Sequence, residues 1–140
     1  MERKIVPDVI GQRQQLLEMP ASATVRDAVR RMCERKVGAV LVTADGALQG
    51  IFTERDLMHR VVAVGRDPDA TRLEEVMTAD PDTVGAEEHA VDALALMSQR
   101  GYRHLPVLEK GRLIGIVSRR DFLGEEITIV EEELGHEQRF

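Results

Sequence analysis

The chain contains itself twice, and this repeat limits its fold more than any other feature. A gapless shift of 65 residues carries Asp27-Ala28 onto Asp92-Ala93, Met32 onto Met97, Arg35 onto Arg100 and Val42 onto Val107. The same shift carries Gly46 onto Gly111, Leu48 onto Leu113, Gly50-Ile51 onto Gly115-Ile116 and Arg55-Asp56 onto Arg120-Asp121. Two copies of one supersecondary unit are implied. Halves of about 60 residues bury too little apolar surface to be secure alone, so they are expected to share a core.

Each copy reads alike. In Val25 to Lys36 the apolar residues Val25, Ala28, Val29, Met32 and Cys33 recur at helical spacing opposite Arg26, Arg30, Arg31 and Glu34, which predicts an amphipathic helix with Cys33 on its core face. Gly38 to Thr43 and Leu48 to Phe52 read as strands joined at Asp45-Gly46, and a second helix begins at Thr53. In copy two the helix is Ala90 to Arg100, the strands Arg103 to Leu108 and Leu113 to Val117, and Ser118 opens the closing helix. Thr71 to Thr78 reads as a helical connector, Asp80 to Val84 as a short strand leading into copy two, and Leu16 to Pro20 as its counterpart. His104-Leu105-Pro106 opens a strand, with proline expected at its beginning or on an edge. By chain order, residues 1–65 form a first domain with an N-terminal helix, 66–124 a connector and second domain, and 125–140 an acidic helix or tail.

At each strand-to-helix junction stands the same pattern, Gly50-Ile51-Phe52-Thr53-Glu54-Arg55-Asp56 and Gly115-Ile116-Val117-Ser118-Arg119-Arg120-Asp121. Thr53 with Asp56, and Ser118 with Asp121, have the hydroxyl-x-x-acid spacing of a capping box, which alone explains both residues. The same geometry suits a ligand: free backbone N–H groups and the hydroxyl can meet a phosphate, and the aspartate can accept bonds from ribose hydroxyls. The two roles are compatible.

Other chemistry is poorly supported. A net charge of −6 argues against binding a nucleic-acid backbone. The single cysteine, Cys33, excludes an intrachain disulfide and a cysteine-rich zinc site. His59, His89, His104 and His136 lack metal-ligand spacing, and no nucleophile with a base in reach, or paired carboxylates, is evident, so an enzyme is not expected. Met1 to Gln12 does not read as a signal peptide and no stretch approaches about 20 apolar residues, so no membrane association and a cytoplasmic location are expected.

The two copies resemble the paired CBS domains of a Bateman module. Ala28, Met32, Gly38 to Val42 and Gly50 to Asp56 carry the resemblance in copy one; Val76-Met77-Thr78, Asp80 to Val84, Ala93 to Met97, Arg103 to Val107 and Gly115 to Asp121 carry it in copy two. Thr53 to Leu57 and Arg103 to Val107 are especially similar to small stand-alone bacterial members. The resemblance implies an α/β (α+β) fold of two βαββα repeats packed sheet-to-sheet as a pseudo-twofold disc. It further implies clefts that take AMP, ADP, ATP or a related adenosyl ligand.

Carried onto matching positions, it makes Asp56 and Asp121 ribose partners and Thr53 and Ser118 phosphate partners. Around the second cleft it places Thr83, Val84, Tyr102, Arg103, His104, Leu105, Pro106 and Arg120. Around the first it places Met19, Val37, Gly38, Ala39, Val40 and Arg55. Copy two offers Arg103, His104, Arg119 and Arg120 where copy one has Gly38, Ala39, Glu54 and Arg55, and keeps Thr83 where copy one has Glu18. The second cleft is therefore expected to suit a phosphorylated ligand better, with one of Arg119 and Arg120 binding and the other solvated. The implied function is a regulatory ligand sensor that signals to a separate effector protein; the alternative is a dimerisation or scaffold module with degenerate clefts. Family modules usually pair into homodimers, here expected through the helices at Val25 to Lys36 and Ala90 to Arg100.

Overall fold

The computed structural model describes residues 2–11 and 14–137. Its elements repeat at the interval read from the sequence. Helix α1 (Val25–Arg35), strands β2 (Ala39–Ala44) and β3 (Ala47–Thr53) and a helical turn α2 (Glu54–Asp56) recur as α4 (Ala90–Arg100), β6 (His104–Glu109), β7 (Arg112–Ser118) and a 3-10 turn (Arg119–Asp121). In copy one the turn runs on as π-helical Leu57–Val62. Between the copies lie the short helix α3 (Leu73–Val76) and strands β4 (Thr78–Ala79) and β5 (Val84–Gly85), and β1 (Glu18–Met19) precedes α1.

The hairpins are superimposable in register. Ala39 faces Thr53 as His104 faces Ser118, and the ladders break at Val42/Thr43 and at Val107/Leu108. Both turn residues of each hairpin are left-handed, at φ 51° and 79° for Asp45-Gly46 and 51° and 77° for Lys110-Gly111. This is the primed turn that matches strand twist and places glycine at its second position.

Parallel strands β1 and β5 lie beside β2 and β6 in the same register, Met19 opposite Val42 and Val84 opposite Val107, but the two ladders begin one residue apart. Leu41 N–H donates to the Leu17 carbonyl at 2.9 Å, and Glu18 opposes Leu41. The aligned residue in copy two is Pro106, which has no N–H to donate. Pairing there starts later, with Val84 opposite Val107 and Ala86 N–H donating to Leu108. Pro106 is thus the third residue of β6, buried, and not at the strand's beginning.

The chain divides into two units, but not in chain order: one is 15–81, the other 1–14 with 82–140. This grouping by packing is a different one from the expected division in chain order at residues 65/66 and 124/125. In the first unit Val25, Leu73, Val76 and Phe52 share one buried cluster, so the connector belongs to copy one. In the second, Ile5 and Ile10 from the N-terminal segment and Val130 from α5 (Gly124–Glu137) join Leu94, Met97 and Leu105. Each unit therefore contains a buried cluster that is enlarged by a segment from outside the repeat. Among the described residues of the N-terminal segment the helical part is a single wide turn, Ile5–Val9, interrupted at Val6.

A second correspondence, invisible as residue identity, explains the exchange of segments. Ala90, Ile5 and Val6 N–H donate to the carbonyls of Arg3, Glu88 and Ala86; Val25, Leu73 and Glu74 N–H donate to those of Thr71, Ala23 and Ala21. The N-terminal segment does for copy two, through its backbone, what the connector does for copy one.

Three further expectations change. Cys33 is exposed, because α1 turns Val25, Ala28 and Met32 inward and leaves position 33 outside that stripe. The helix opened by Ser118 stops at Phe122, whose φ −90° and ψ 152° are extended, and α5 starts anew. The helical part of the connector shrinks to Leu73–Val76, and Thr78–Ala79 instead adds a strand to β3.

Candidate functional site

The junctions between β3 and α2, and between β7 and its 3-10 turn, were singled out in the sequence, and the structure makes them chemically unequal. In copy one the capping box closes fully. Asp56 N–H donates to Thr53 Oγ1 at 3.3 Å, Thr53 N–H donates to Asp56 Oδ2 at 3.0 Å, and the Thr53 hydroxyl donates to the same oxygen at 3.2 Å. Thr78 Oγ1, on β4, donates to Asp56 Oδ1 at 3.4 Å, and Arg60 Nε lies 3.7 Å from it. Asp56 is 8% exposed and both its oxygens are engaged within its own unit.

In copy two Ser118 N–H donates to Asp121 Oδ2 at 2.7 Å. Asp121 N–H faces Ser118 Oγ as in a capping box, yet that hydroxyl is buried and finds no hydrogen-bond partner among the described residues. Asp121 is exposed, and Oδ1 takes no side-chain or backbone donor among the described residues. A buried hydroxyl without a partner costs about 1–3 kcal/mol. Together with an unengaged carboxylate oxygen, it forms a donor and an acceptor pair suited to a polyhydroxylated or phosphorylated molecule.

The glycines of the two motifs answer to packing. A Cβ at Gly50 would sit 2.6 Å from Met77 Sδ and 2.9 Å from the Thr78 carbonyl oxygen; one at Gly115 would sit 2.5 Å from Ile10 Cδ1 and 2.7 Å from Gln14 Oε1. Gln14 imitates the missing fourth strand: its carboxamide accepts from Ile116 N–H at 2.7 Å and donates to the Ile116 carbonyl at 3.0 Å, where the aligned Ile51 faces Thr78 of β4. Both glycines are sites of close crossing.

Of the remaining candidates, Val84, Leu105, Val40 and Met19 are core residues, at 2%, 1%, 0% and 7% exposure, so their side chains serve packing. Ala39 is also buried, and Val37 packs partly against the copy-one cluster. Thr83, Tyr102 and His104 are half-buried, Arg103 and Arg120 exposed, and His104 faces Ser118 across the ladder. The carbonyls of Gly38 and Arg103 accept from Glu54 and Arg119 N–H at 3.1 and 3.0 Å, latching each helical turn to the start of the neighbouring strand. Arg55 is exposed. Arg119 is engaged with Ser98 Oγ at 3.2 Å and Glu131 at 3.4 Å, whereas Arg120 has no ion-pair partner among the described residues.

Sequence reasoning missed Asp82, Arg100 and Arg3. The Tyr102 hydroxyl donates to Asp82 Oδ2 at 2.6 Å, and Arg100 Nη1 lies 3.5 Å from the same oxygen. That hydrogen bond, then burial, push the Tyr102 phenol above its ordinary pKa. Arg3 grips Glu126 with Nη2 at 2.7 Å and Nε at 3.2 Å. This bond holds the Glu126 carboxyl below its ordinary range against desolvation, with Leu123 N–H assisting.

Two βαββα units, each closing on a hydroxyl residue and an aspartate three positions on, define a tandem-repeat α/β module. The chain belongs to the CBS-domain family, whose model matches residues 12–63 and 73–127. It is 41% identical over 116 residues to the CBS domain-containing protein CBSCBSPB3 of Arabidopsis thaliana, covering 82% of this chain and 21% of that protein. The chain thus spans about a fifth of the length of that curated relative. Among solved structures it is similar to a protein with CBS domains from Burkholderia ambifaria MC40-6, at 37% identity and TM-score 0.75, covering 85% of this chain and 84% of the other. It is also similar to the CBS domain protein PAE2072 from Pyrobaculum aerophilum complexed with AMP, at 25% identity and TM-score 0.76, covering 89% and 95%. Among the described residues no group of three His, Cys, Asp or Glu is placed to hold a metal ion, and no helix is long and apolar enough to cross a membrane.

Proposed function

We propose that the chain is a regulatory module that binds an adenine nucleotide, AMP, ADP or ATP, at Ser118 and Asp121, and signals occupancy to a separate effector without catalysing a reaction. The observation that supports this reading is the contrast between the aspartates: Asp56 is buried with both oxygens engaged, whereas Asp121 is exposed and, among the described residues, its Oδ1 is unengaged beside an unpartnered Ser118 hydroxyl. The AMP complex of the similar Pyrobaculum protein supports the ligand class. Arg120 and Arg103 supply cationic side chains for phosphate, and Thr83, Tyr102 and His104 line the base end. Copy one, with Thr53 and Arg55 beside Asp56, binds weakly or not at all.

A thermal-shift panel of AMP, ADP, ATP, NAD and S-adenosylmethionine tests it. An adenine nucleotide should raise the melting temperature of the wild type and not of Asp121→Asn. A panel without any stabilising ligand would reject sensing in favour of a scaffold.

The homodimer is retained with its surface revised. α4 is covered by α5, and the outer face of α1 is charged, whereas Met58, Val62 and Val64 are 57%, 67% and 64% exposed. An apolar group of this kind favours contact with a second copy. Light scattering should give twice the chain mass, and Met58→Glu should halve it.

A further inference from the structure

Asp56 is held by its own side chain: Thr53, Thr78 and Arg60 occupy both oxygens. Among the described residues no side chain plays for the Asp121 carboxylate the part of Thr78 or Arg60. What fixes its turn instead comes from the far end of the sequence. Arg3 Nη2 donates to the Asp121 carbonyl at 3.4 Å while the same guanidinium forks onto Glu126 and Nη1 donates to the Asp8 carbonyl at 2.9 Å. Glu126 in turn accepts from Leu123 N–H at 2.8 Å, so the pair brackets the segment from Asp121 to Leu123 at both ends. Glu126 is one of three buried polar residues among those described, its side chain 7% exposed and that of Arg3 24%, so the pair is largely desolvated.

The position is specific to the unit that holds the candidate site. In the backbone correspondence described above, Arg3 stands where copy one has Thr71, whose hydroxyl only closes its own loop onto the Asp67 carbonyl at 2.7 Å. Copy one supports its aspartate through the carboxylate and thereby consumes it. Copy two supports the same turn through a main-chain carbonyl and leaves a carboxylate oxygen available.

We propose that Arg3, oriented by Glu126, is the positioning residue of the Asp121 site, holding the turn by its backbone so that the Asp121 carboxylate stays available to a ligand. Arg3 does not touch the ligand. The inference rests on the nucleotide reading for its consequence in binding, but not for its consequence in the free protein. The planar five-donor fork lets one side chain hold both oxygens of a carboxylate and two carbonyls together, four bonds where the ammonium of lysine has three donors.

The test compares Arg3→Met with the double variant Arg3→Met/Glu126→Met. The single change leaves a buried carboxylate unpaired and lowers stability; the double change removes both charges and recovers it, because a buried pair replaced by apolar residues is close to neutral. Positioning is not recovered. In the double variant without ligand, exchange of the Ser118 amide, held by Asp121 Oδ2, should be about tenfold faster while amides of the β6–β7 ladder keep their wild-type rates. AMP should bind about tenfold more weakly, the equivalent of one lost hydrogen bond. A Ser118 amide or an AMP affinity restored together with stability would overturn the proposal by showing a purely structural role. If the wild type binds no AMP, the nucleotide reading fails separately, and the Ser118 amide alone decides whether Arg3 anchors the turn.

Discussion

Replacing either repeated glycine by alanine adds one methyl group at aligned positions, yet the two changes should differ in cost. At Gly50 the new Cβ would lie 2.9 Å from a backbone oxygen, that of Thr78, and 2.6 Å from Met77 Sδ. The sulfur can swing away, but the carbonyl moves only if β4 moves, and a retreat of roughly half an ångström is needed to reach ordinary contact. β4 pairs with β3 at only two positions, Gly50 with Ala79 and Ile51 with Thr78, and Thr78 also supports Asp56. Overpacking together with weakening of this short ladder gives an expected loss of about 2–3 kcal/mol for Gly50→Ala. At Gly115 both clashing atoms, Ile10 Cδ1 and Gln14 Oε1, are side-chain ends. Their adjustment, partly offset by the lower freedom of an unfolded alanine, should cost about 1 kcal/mol or less. Urea unfolding followed by circular dichroism measures the difference, with amide exchange assigning it to β3–β4 or β7. A Gly115→Ala variant as damaged as Gly50→Ala would refute the distinction between backbone and side-chain obstruction.

Other outcomes follow from the same contacts. Glu126 has a folded pKa below its unfolded value of about 4.3, so just below that value the unfolded chain binds more protons and stability falls as pH falls. Glu126→Gln should flatten this acid limb and cost about 2 kcal/mol at neutral pH, read from denaturation midpoints between pH 3 and 7. Tyr102 should ionise above its ordinary value of about 10 in an ultraviolet titration, and Asp82→Asn should bring it back down; an unchanged titration would remove Asp82 as its partner. Thr78→Val removes a donor from buried Asp56 and should cost about 1 kcal/mol without changing AMP affinity.

Much of the fold was legible because the repeat acts on side chains that must be apolar or small. Val25, Ala28 and Met32 with Ala90, Ala93 and Met97, and the turns at Asp45-Gly46 and Lys110-Gly111, carried their periodicity into matching helices and hairpins. The exchange of outer segments was not legible, because Arg3 to Val6 and Thr71 to Glu74 correspond through backbone N–H and carbonyl groups that any residue supplies. β4 was missed because two residues carry no alternation. The sequence distinguishes the two copies by neighbouring arginines, whereas the structure distinguishes the surroundings of Asp56 and Asp121 by other contacts, Thr78 and Arg60 on one side and Arg3 and Glu126 on the other. Those partners are remote in sequence or generic in type.

The most direct measurement is titration calorimetry of AMP into the wild type, Asp56→Asn and Asp121→Asn. Binding at a single copy-two site predicts one AMP per chain, retained in Asp56→Asn and abolished or weakened by about a hundredfold in Asp121→Asn, as for loss of hydrogen bonds to a charged acceptor. Equal loss in both variants, or loss in Asp56→Asn alone, would contradict it.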